Sequence, residues 1–283
     1  MNRPPATSTV DVTRVMGPRR EVARDLVAGE EPMEIRLRIP QEDGTFTRSL
    51  SVTMRTPGND FELAAGFLFT EGIISGKKDI ETIEYTPEGK KDQAFNIVTV
   101  SLRQGIELDA KKLLRHFYVT SSCGVCGKTS LEAVRVLVQT KLPPGEPRIS
   151  SSIVGLLPGT LRRSQSVFAQ TGGIHAAGLF TPQGDLVSIQ EDVGRHNAVD
   201  KLVGEQLLRG AVPLRGRVMQ VSGRGGFEIV QKALVAQIPI VSSVGAPSSL
   251  AVDLAREFDM TLFGFVREGR FNVYSEAGRL EGD

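Results

Sequence analysis

The chain has no tryptophan, three tyrosines and two cysteines. So few aromatics leave no inventory for a platform that binds single-stranded nucleic acid by base stacking. Two cysteines confined to one tetrapeptide, Cys123-Gly124-Val125-Cys126, exclude the dispersed disulfide framework of a small secreted domain. There is no excess of one charge: 34 basic against 33 acidic residues give a formal net charge of +1. No global field then draws the protein to nucleic acid or an anionic membrane, and any anion must be bound locally. No uninterrupted apolar run reaches the roughly 18 residues that a spanning helix needs. The residues from Met1 to Arg20 are polar and proline-bearing, and Arg19-Arg20 is followed by no apolar core, so neither an ordinary nor a twin-arginine export signal is read. A cytoplasmic protein is expected. With 283 residues, 40% hydrophobic and 24% charged, the chain has globular composition and enough length for a sizeable core.

Periodicity divides the chain. Residues 1–24 are expected to be a disordered tail, 25–140 a smaller α+β region and 148–276 an α/β domain. Met33, Ile35, Leu37 and Ile39 alternate with charged residues, Asp43-Gly44 supplies a turn, and Leu50, Val52 and Met54 resume the alternation, which predicts a hairpin. Phe61–Thr70 is apolar nearly all round and reads as a short buried helix. Phe95–Leu102 reads as a strand, Ala110–Tyr118 and Leu131–Val138 as helices, and Lys141–Pro147 as a linker. Beyond it a helix is expected over Thr160–Gln170, then strands Ile174–Phe180 and Leu186–Ile189 about the Pro182-Gln183-Gly184-Asp185 turn. Helices Ala198–Leu208, Glu228–Gln237 and Ser249–Phe258 then alternate with strands Val218–Val221, Ile238–Val241 and Met260–Val266. That order predicts a mostly parallel sheet covered by helices.

Cys123 follows a run of small residues and precedes an expected helix. Free amide N–H groups and the helix dipole favour a thiolate at such a place, and Lys128 adds positive charge. Four chemistries compete for the pair: two small buried side chains, a zinc site, a thioredoxin-like dithiol, and a sulfur carrier holding a sulfane sulfur. Zinc would need ligands from His116, His175 and His196, which are scattered. The dithiol usually follows the first strand of a short domain, whereas here more than a hundred residues intervene. A zinc deaminase signature fails, because Ser122 replaces the proline before the first cysteine and Tyr118 stands where a glutamate is needed.

Two glycine-rich turns, Ser222-Gly223-Arg224-Gly225-Gly226 and Ser242 to Ser249 around Ser243 and Gly245, each join a strand to a helix, where backbone amides can cradle phosphate. Neither has Rossmann or P-loop spacing. Glu191-Asp192-Val193-Gly194-Arg195-His196-Asn197 packs polar groups after a strand, and His175 adds a second histidine. Two readings stay open for it: a buried network in which Asp192, Arg195 and His196 satisfy one another while capping the next helix, or cofactor recognition, with arginine for phosphate and Asp192 or Glu191 for a guanine edge.

Taken together, Ser122 to Gly127, Glu191 to Asp200, Ala65 to Gly72 and Leu262 to Arg270 resemble the FdhD family, over roughly Ala64 to Tyr274. The resemblance implies a cytidine-deaminase-like core sheet without the zinc, and a homodimer. It implies transfer of sulfur from a cysteine desulfurase to the molybdenum (or tungsten) bis-molybdopterin guanine dinucleotide cofactor of formate dehydrogenase. The family's persulfide cysteine falls on Cys123, with Cys126 assisting. Its cofactor-binding hexapeptide falls on Phe265, Val266, Arg267, Glu268, Gly269 and Arg270. Ser222, Gly223, Arg224, Gly225, Ser243, His196 and Asp192 are expected beside it. Neither a structural metal nor a nucleic-acid or membrane partner is expected.

Overall fold

The computed structural model describes residues 3–41, 44–87, 94–106, 138 and 141–282. Cys123, Cys126 and Lys128, the expected helix Ala110–Tyr118 and all but the last residue of the expected helix Leu131–Val138 lie outside the described residues. Among the described residues no helix is long and apolar enough to cross a membrane.

The expected tail is corrected. Strands β1 (Thr7–Met16) and β2 (Arg19–Ala28) form an antiparallel hairpin from Thr7 opposite Ala28 to Met16 opposite Arg19. Gly17, at φ 61°, makes the reversal with Pro18. The hairpin escapes a hydrophobicity reading because most of its side chains are exposed, including Val15 and Val22.

The predicted hairpin is present as β3 (Glu31–Gln41) and β4 (Gly44–Arg55), with Met33, Ile35 and Leu37 fully buried. β5 (Ile80–Tyr85) and β6 (Ile97–Leu102) complete a sheet of order β4-β3-β6-β5. Helix α1 (Asp60–Thr70) covers it, buried on most sides as its composition predicts.

The second sheet has the order β13-β12-β11-β10-β8-β9. Its strands are β8 (His175–Phe180), β9 (Leu186–Asp192), β10 (Val218–Val221), β11 (Ile240–Ser243), β12 (Thr261–Arg267) and β13 (Arg270–Ser275). The mostly parallel expectation is corrected to a mixed sheet: β10–β11 and β11–β12 are parallel, while β8–β9, β8–β10 and β12–β13 are antiparallel. Tight turns at Pro182–Asp185 and at Gly269 make two of these pairs hairpins, and a hairpin can only pair antiparallel. A further strand pair, β7 (Ile149–Ser150) with β14 (Leu280–Glu281), is parallel.

The single helix expected over Thr160–Gln170 is instead α2 (Ser151–Ser164) followed by α3 (Ser166–Thr171). Pro158 lies inside α2, where it removes an intrahelical hydrogen bond. Burial of Val154, Leu157 and Leu161 on one stripe outweighs that loss. Helices α4 (Arg195–Leu208), α5 (Phe227–Val235) and α6 (Ser249–Glu257) follow β9, β10 and β11.

One core joins the two sheets, running from Met33, Leu63 and Val100 to Leu202, Met219 and Val230. Its centre is the crossing of α1 with α4, where a Cβ on Gly66 would sit 1.8 Å from the Asp200 carbonyl oxygen and one on Gly204 equally close to that of Glu62. Only glycine allows this approach. The segment read as a linker, Lys141–Pro147, is held by the fully buried Arg279, whose guanidinium donates to the carbonyls of Pro143, Glu146 (2.8 Å) and Asp259 (2.6 Å).

Candidate functional site

β9 and β10 both pair antiparallel with β8, so they run in one direction, and β11 and β12 share it. The carboxyl ends of these four strands therefore meet at one edge of the sheet, together with the start of β8. Ligands of open α/β sheets bind at such an edge. Here it carries Asp192 to Arg195, Ser222 to Gly226, Ser243 to Ser248, the β12–β13 turn and His175, so the structure brings most of the expected non-cysteine site residues to one edge, while the side chains of His196 and Val266 turn away from it.

The loops interlock through their backbones. Gly245 N–H donates to the Gly223 carbonyl at 2.9 Å, and Phe265 N–H to that of Gly245 at 3.1 Å. A Cβ on Gly245 would lie 3.0 Å from Arg224 Cα, and one on Gly225 3.0 Å from Ser243 Oγ, so both glycines are needed for the close fit. The hydroxyls of the serines shape the loops: Ser222 Oγ accepts from Ala176 N–H at 2.9 Å, and Ser243 Oγ donates to the carbonyls of Gly245 and Phe263.

In the hexapeptide, Phe265 is exposed and held at φ 53°, a left-handed conformation rare for a bulky residue. Val266 is buried and packs in the core. Arg267 donates to the backbone carbonyls of Val244 and Val266, both at 2.8 Å. Glu268, Gly269 (φ 75°) and Arg270 form the exposed turn. Among the described residues Arg195, Arg224, Arg267 and Arg270 have no carboxylate partner, and Arg195 Nε is buried without a hydrogen bond.

Asp192 behaves differently. It is fully buried; one oxygen accepts from Thr56 N–H (3.1 Å) and Lys201 Nζ (2.7 Å), the other from Gly194 N–H (2.8 Å) and Asn197 Nδ2 (3.0 Å). This ties the turn before α4 to the first sheet. Glu191 accepts from the amides of Val167 and Phe168, both at 2.9 Å, at the start of α3. Of the two readings open for this heptapeptide, Asp192 does form a buried network, but with Thr56, Gly194, Asn197 and Lys201; the expected mutual pairing with Arg195 and His196 is corrected, since Arg195 Nε has no partner and His196 bonds Glu228. The sequence reading missed Thr56 and Lys201, because the partners lie on separate elements with no local spacing to announce them.

His196 points the other way, toward the junction of the two sheets. Burial, together with the charges of Arg195 and Lys232, pulls its pKa down to about 4. Its 3.0 Å contact with Glu228 is therefore a hydrogen bond from a neutral imidazole near pH 7, with Nδ1–H as donor. Beside it lies a cavity of about 140 Å³ lined by Ile35, Leu63, Phe67, His196 and Lys232. Lys232 is bound by Asp200 (2.9 Å), Glu71 (3.0 Å) and Thr70 (3.0 Å). Burial pushes Asp200 up to about 6 against the pull of that ammonium. Burial opposes the Lys232 charge, but the two carboxylates outweigh it and hold its pKa above the ordinary value. A larger, open depression of about 330 Å³ by Arg256, Asp259 and Tyr274 lies at the opposite end of β12, away from the loop cluster.

Comparison with known proteins extends over most of the chain. The sulfur carrier protein FdhD of Streptomyces coelicolor is 48% identical over 259 residues, spanning 90% of this chain and 89% of that one. The proteins of the same name from Mycolicibacterium paratuberculosis and Mycobacterium tuberculosis are 44% and 45% identical, over 97% and 90% of this chain and 98% and 92% of theirs. The crystal structure of a candidate formate dehydrogenase accessory protein from Desulfotalea psychrophila superimposes with a TM-score of 0.72 at 25% identity, covering 98% of this chain and all of that one. A family model described as FdhD/NarQ matches residues 29–281, and the chain belongs to that family.

Proposed function

We propose that this protein is a sulfur carrier that supports formate dehydrogenase by sulfurating its molybdenum or tungsten bis-molybdopterin guanine dinucleotide cofactor. The observation that carries the reading is the 44–48% identity, over most of the chain, to relatives named as sulfur carriers. The unpaired arginines and interlocked glycine loops at the carboxyl edge support it, since they suit a phosphate-bearing ligand. In this reading Phe265 to Arg270, Ser222 to Gly225 and Ser243 line the cofactor's site, and Asp192 and His196 hold its walls in place. The cofactor is cargo, not a resident group. The core is read as a cytidine-deaminase-like sheet without the zinc, which the β8–β9 hairpin followed by successive strand-helix units supports. The protein works in the cytoplasm, as a homodimer.

The chemistry assigned to Cys123 is thiolate attack on the outer sulfur of a cysteine desulfurase persulfide. The desulfurase S–S bond breaks, an S–S bond forms on Cys123, and the desulfurase cysteine leaves as thiolate. Cys126 thiolate then attacks the inner sulfur of the Cys123 persulfide, a disulfide forms, and hydrosulfide leaves as the ligand delivered to the metal.

Intact-mass spectrometry after incubation with a cysteine desulfurase and cysteine tests this. A gain of about 32 Da per sulfur, reversed by reductant and missing in Cys123→Ala, is expected. No gain in the wild type, with guanine-nucleotide binding intact, would move the assignment to a cofactor-binding chaperone whose cysteines only sense redox state.

A further inference from the structure

The β1–β2 ribbon is barely covered by the rest of the chain. A two-stranded hairpin alone is marginally stable in water at best, and this one rests on α3 along β2. Its register sorts the side chains onto two faces. One face carries Val12, Glu21 and Ala23, all half-buried. The other presents Val15, Val22 and Leu26, with Val15 61% and Val22 81% exposed. An exposed aliphatic surface of this kind marks a place of contact.

A second uncovered surface lies on the first sheet, where β4 is an edge strand. Val52 and Met54 pair with Glu34 and Pro32, positions that alternate with the buried Met33 and Ile35, so both point away from the core. They are 66% and 46% exposed. Thr45, Thr47 and Ser49 continue the strip and are exposed as well. Edge strands left open to water are usually guarded by charge or proline, and these outer positions carry neither.

Resting on the homodimer reading above, we propose that the ribbon is an exchange arm: its Val15-Val22-Leu26 face lies over the Val52-Met54 strip of a second copy, and the two-fold axis repeats the contact. The chemistry of the two surfaces agrees, since both are built from aliphatic and hydroxyl side chains. Of the charges on that ribbon face, Asp11 and Arg24 lie 3.7 Å apart and offset each other, and Arg20 is at the tip, where a long side chain reaches water. Size decides between a second copy and a client enzyme. Ten residues at about 3.3 Å each, two strands wide, give the arm a footprint of about 330 Å². One arm on one partner then covers about 660 Å² counting both sides, no more than a lattice contact, whereas stable interfaces begin at about 1,200 Å². The two-fold repeat brings the total to about 1,300 Å². A client held by one arm gains no such doubling.

The test is sedimentation velocity of the full chain at micromolar concentration, with wild type expected to be a dimer. Val22→Glu and Val52→Glu change exposed side chains, so each should keep the wild-type circular dichroism. Each should weaken dimerisation at least about tenfold, because it places a lone carboxylate inside the contact. Val22→Glu combined with Val52→Lys in the same chain should recover part of that loss, since every dimer then sets Glu against Lys across the contact. Dimers of wild-type strength in both single variants overturn the arm and leave the homodimer standing; if those variants also fail to activate formate dehydrogenase, the ribbon serves the client instead. A dimer weakened by Val22→Glu, untouched by Val52→Glu and not recovered in the combined variant overturns the β4 strip as the docking surface. A monomeric wild type overturns the homodimer reading, and the arm with it.

Discussion

The carboxyl edge of the second sheet and the junction between the two sheets are both rich in charge, and they treat it in opposite ways. At the junction the charges answer one another. Arg55 donates to Asp60 at 3.0 Å, Asp192 accepts from Lys201 at 2.7 Å, and Asp200 accepts from Lys232 at 2.9 Å, all buried. At the edge, four arginines have no carboxylate partner among the described residues, on or beside loops that pack by glycine and backbone contact. A buried ion pair costs dearly to break, since removing one partner strands the other. An unpaired surface cation costs little to remove, so its retention needs a ligand or nothing at all. Paired charge holds the junction together, whereas the unpaired charge at the edge contributes little to the fold.

The largest expected effect breaks a pair at the junction. Asp192→Ala leaves Lys201 buried without a counter-charge and removes the acceptor of the bonds from Thr56, Gly194, Asn197 and Lys201. A loss of about 3–5 kcal/mol in urea unfolding is expected, against no more than about 0.5 kcal/mol for Arg224→Gln at the edge. Equal losses would erase the distinction between the two regions. Gly204→Val comes next. Its Cβ would collide with the Glu62 carbonyl oxygen on the facing helix. Separating α1 from α4 should cost about 3 kcal/mol; a loss under about 1 kcal/mol would mean that the crossing is not the tight contact described.

Local pattern announced much of this. The β3–β4 hairpin, α1, β6 and the strand-helix alternation after residue 172 were legible because their apolar residues recur with the period of the element. The β1–β2 ribbon was not, since a hairpin exposed on both faces carries no hydrophobic alternation. Sheet direction was missed because a strand sequence does not record its partner, and two hairpins turned an expected parallel sheet into a mixed one. At the site, the glycine turns and the hexapeptide were visible from composition and family resemblance. The division of labour inside Asp192-Val193-Gly194-Arg195-His196 was not. Adjacent polar residues diverge on entering a helix: Asp192 turns to Lys201 and Thr56, Arg195 to the edge, His196 to the junction.

That divergence can be sharpened with pH. The His196 pKa is about 4 in the folded protein and about 6.5 in an unfolded chain. Between those values the unfolded state holds a proton that the folded state refuses, so wild type loses stability as pH falls through that window. The loss should be on the order of 2 kcal/mol, reduced because the ring is partly exposed. His196→Gln should lack that part of the slope. Identical slopes in the two proteins would place His196 in a more watery setting than the junction described.

The smallest stability effect is the most telling about the edge. Phe265 is 47% exposed and sits at φ 53°, where a non-glycine residue pays about 1–2 kcal/mol. Its half-exposed ring recovers little of that by burial. Phe265→Gly relieves the strain and loosens the unfolded chain, two terms of opposite sign and similar size. The variant should therefore unfold within about 1 kcal/mol of wild type, in either direction. If the ring nonetheless serves the ligand, GDP affinity should fall severalfold while stability holds. That would make Phe265 an aromatic kept in an unfavourable conformation for binding, in contrast to Asp192, whose loss would destabilise the fold. A large stability loss without any change in GDP affinity would instead move Phe265 from the edge's chemistry to the scaffold.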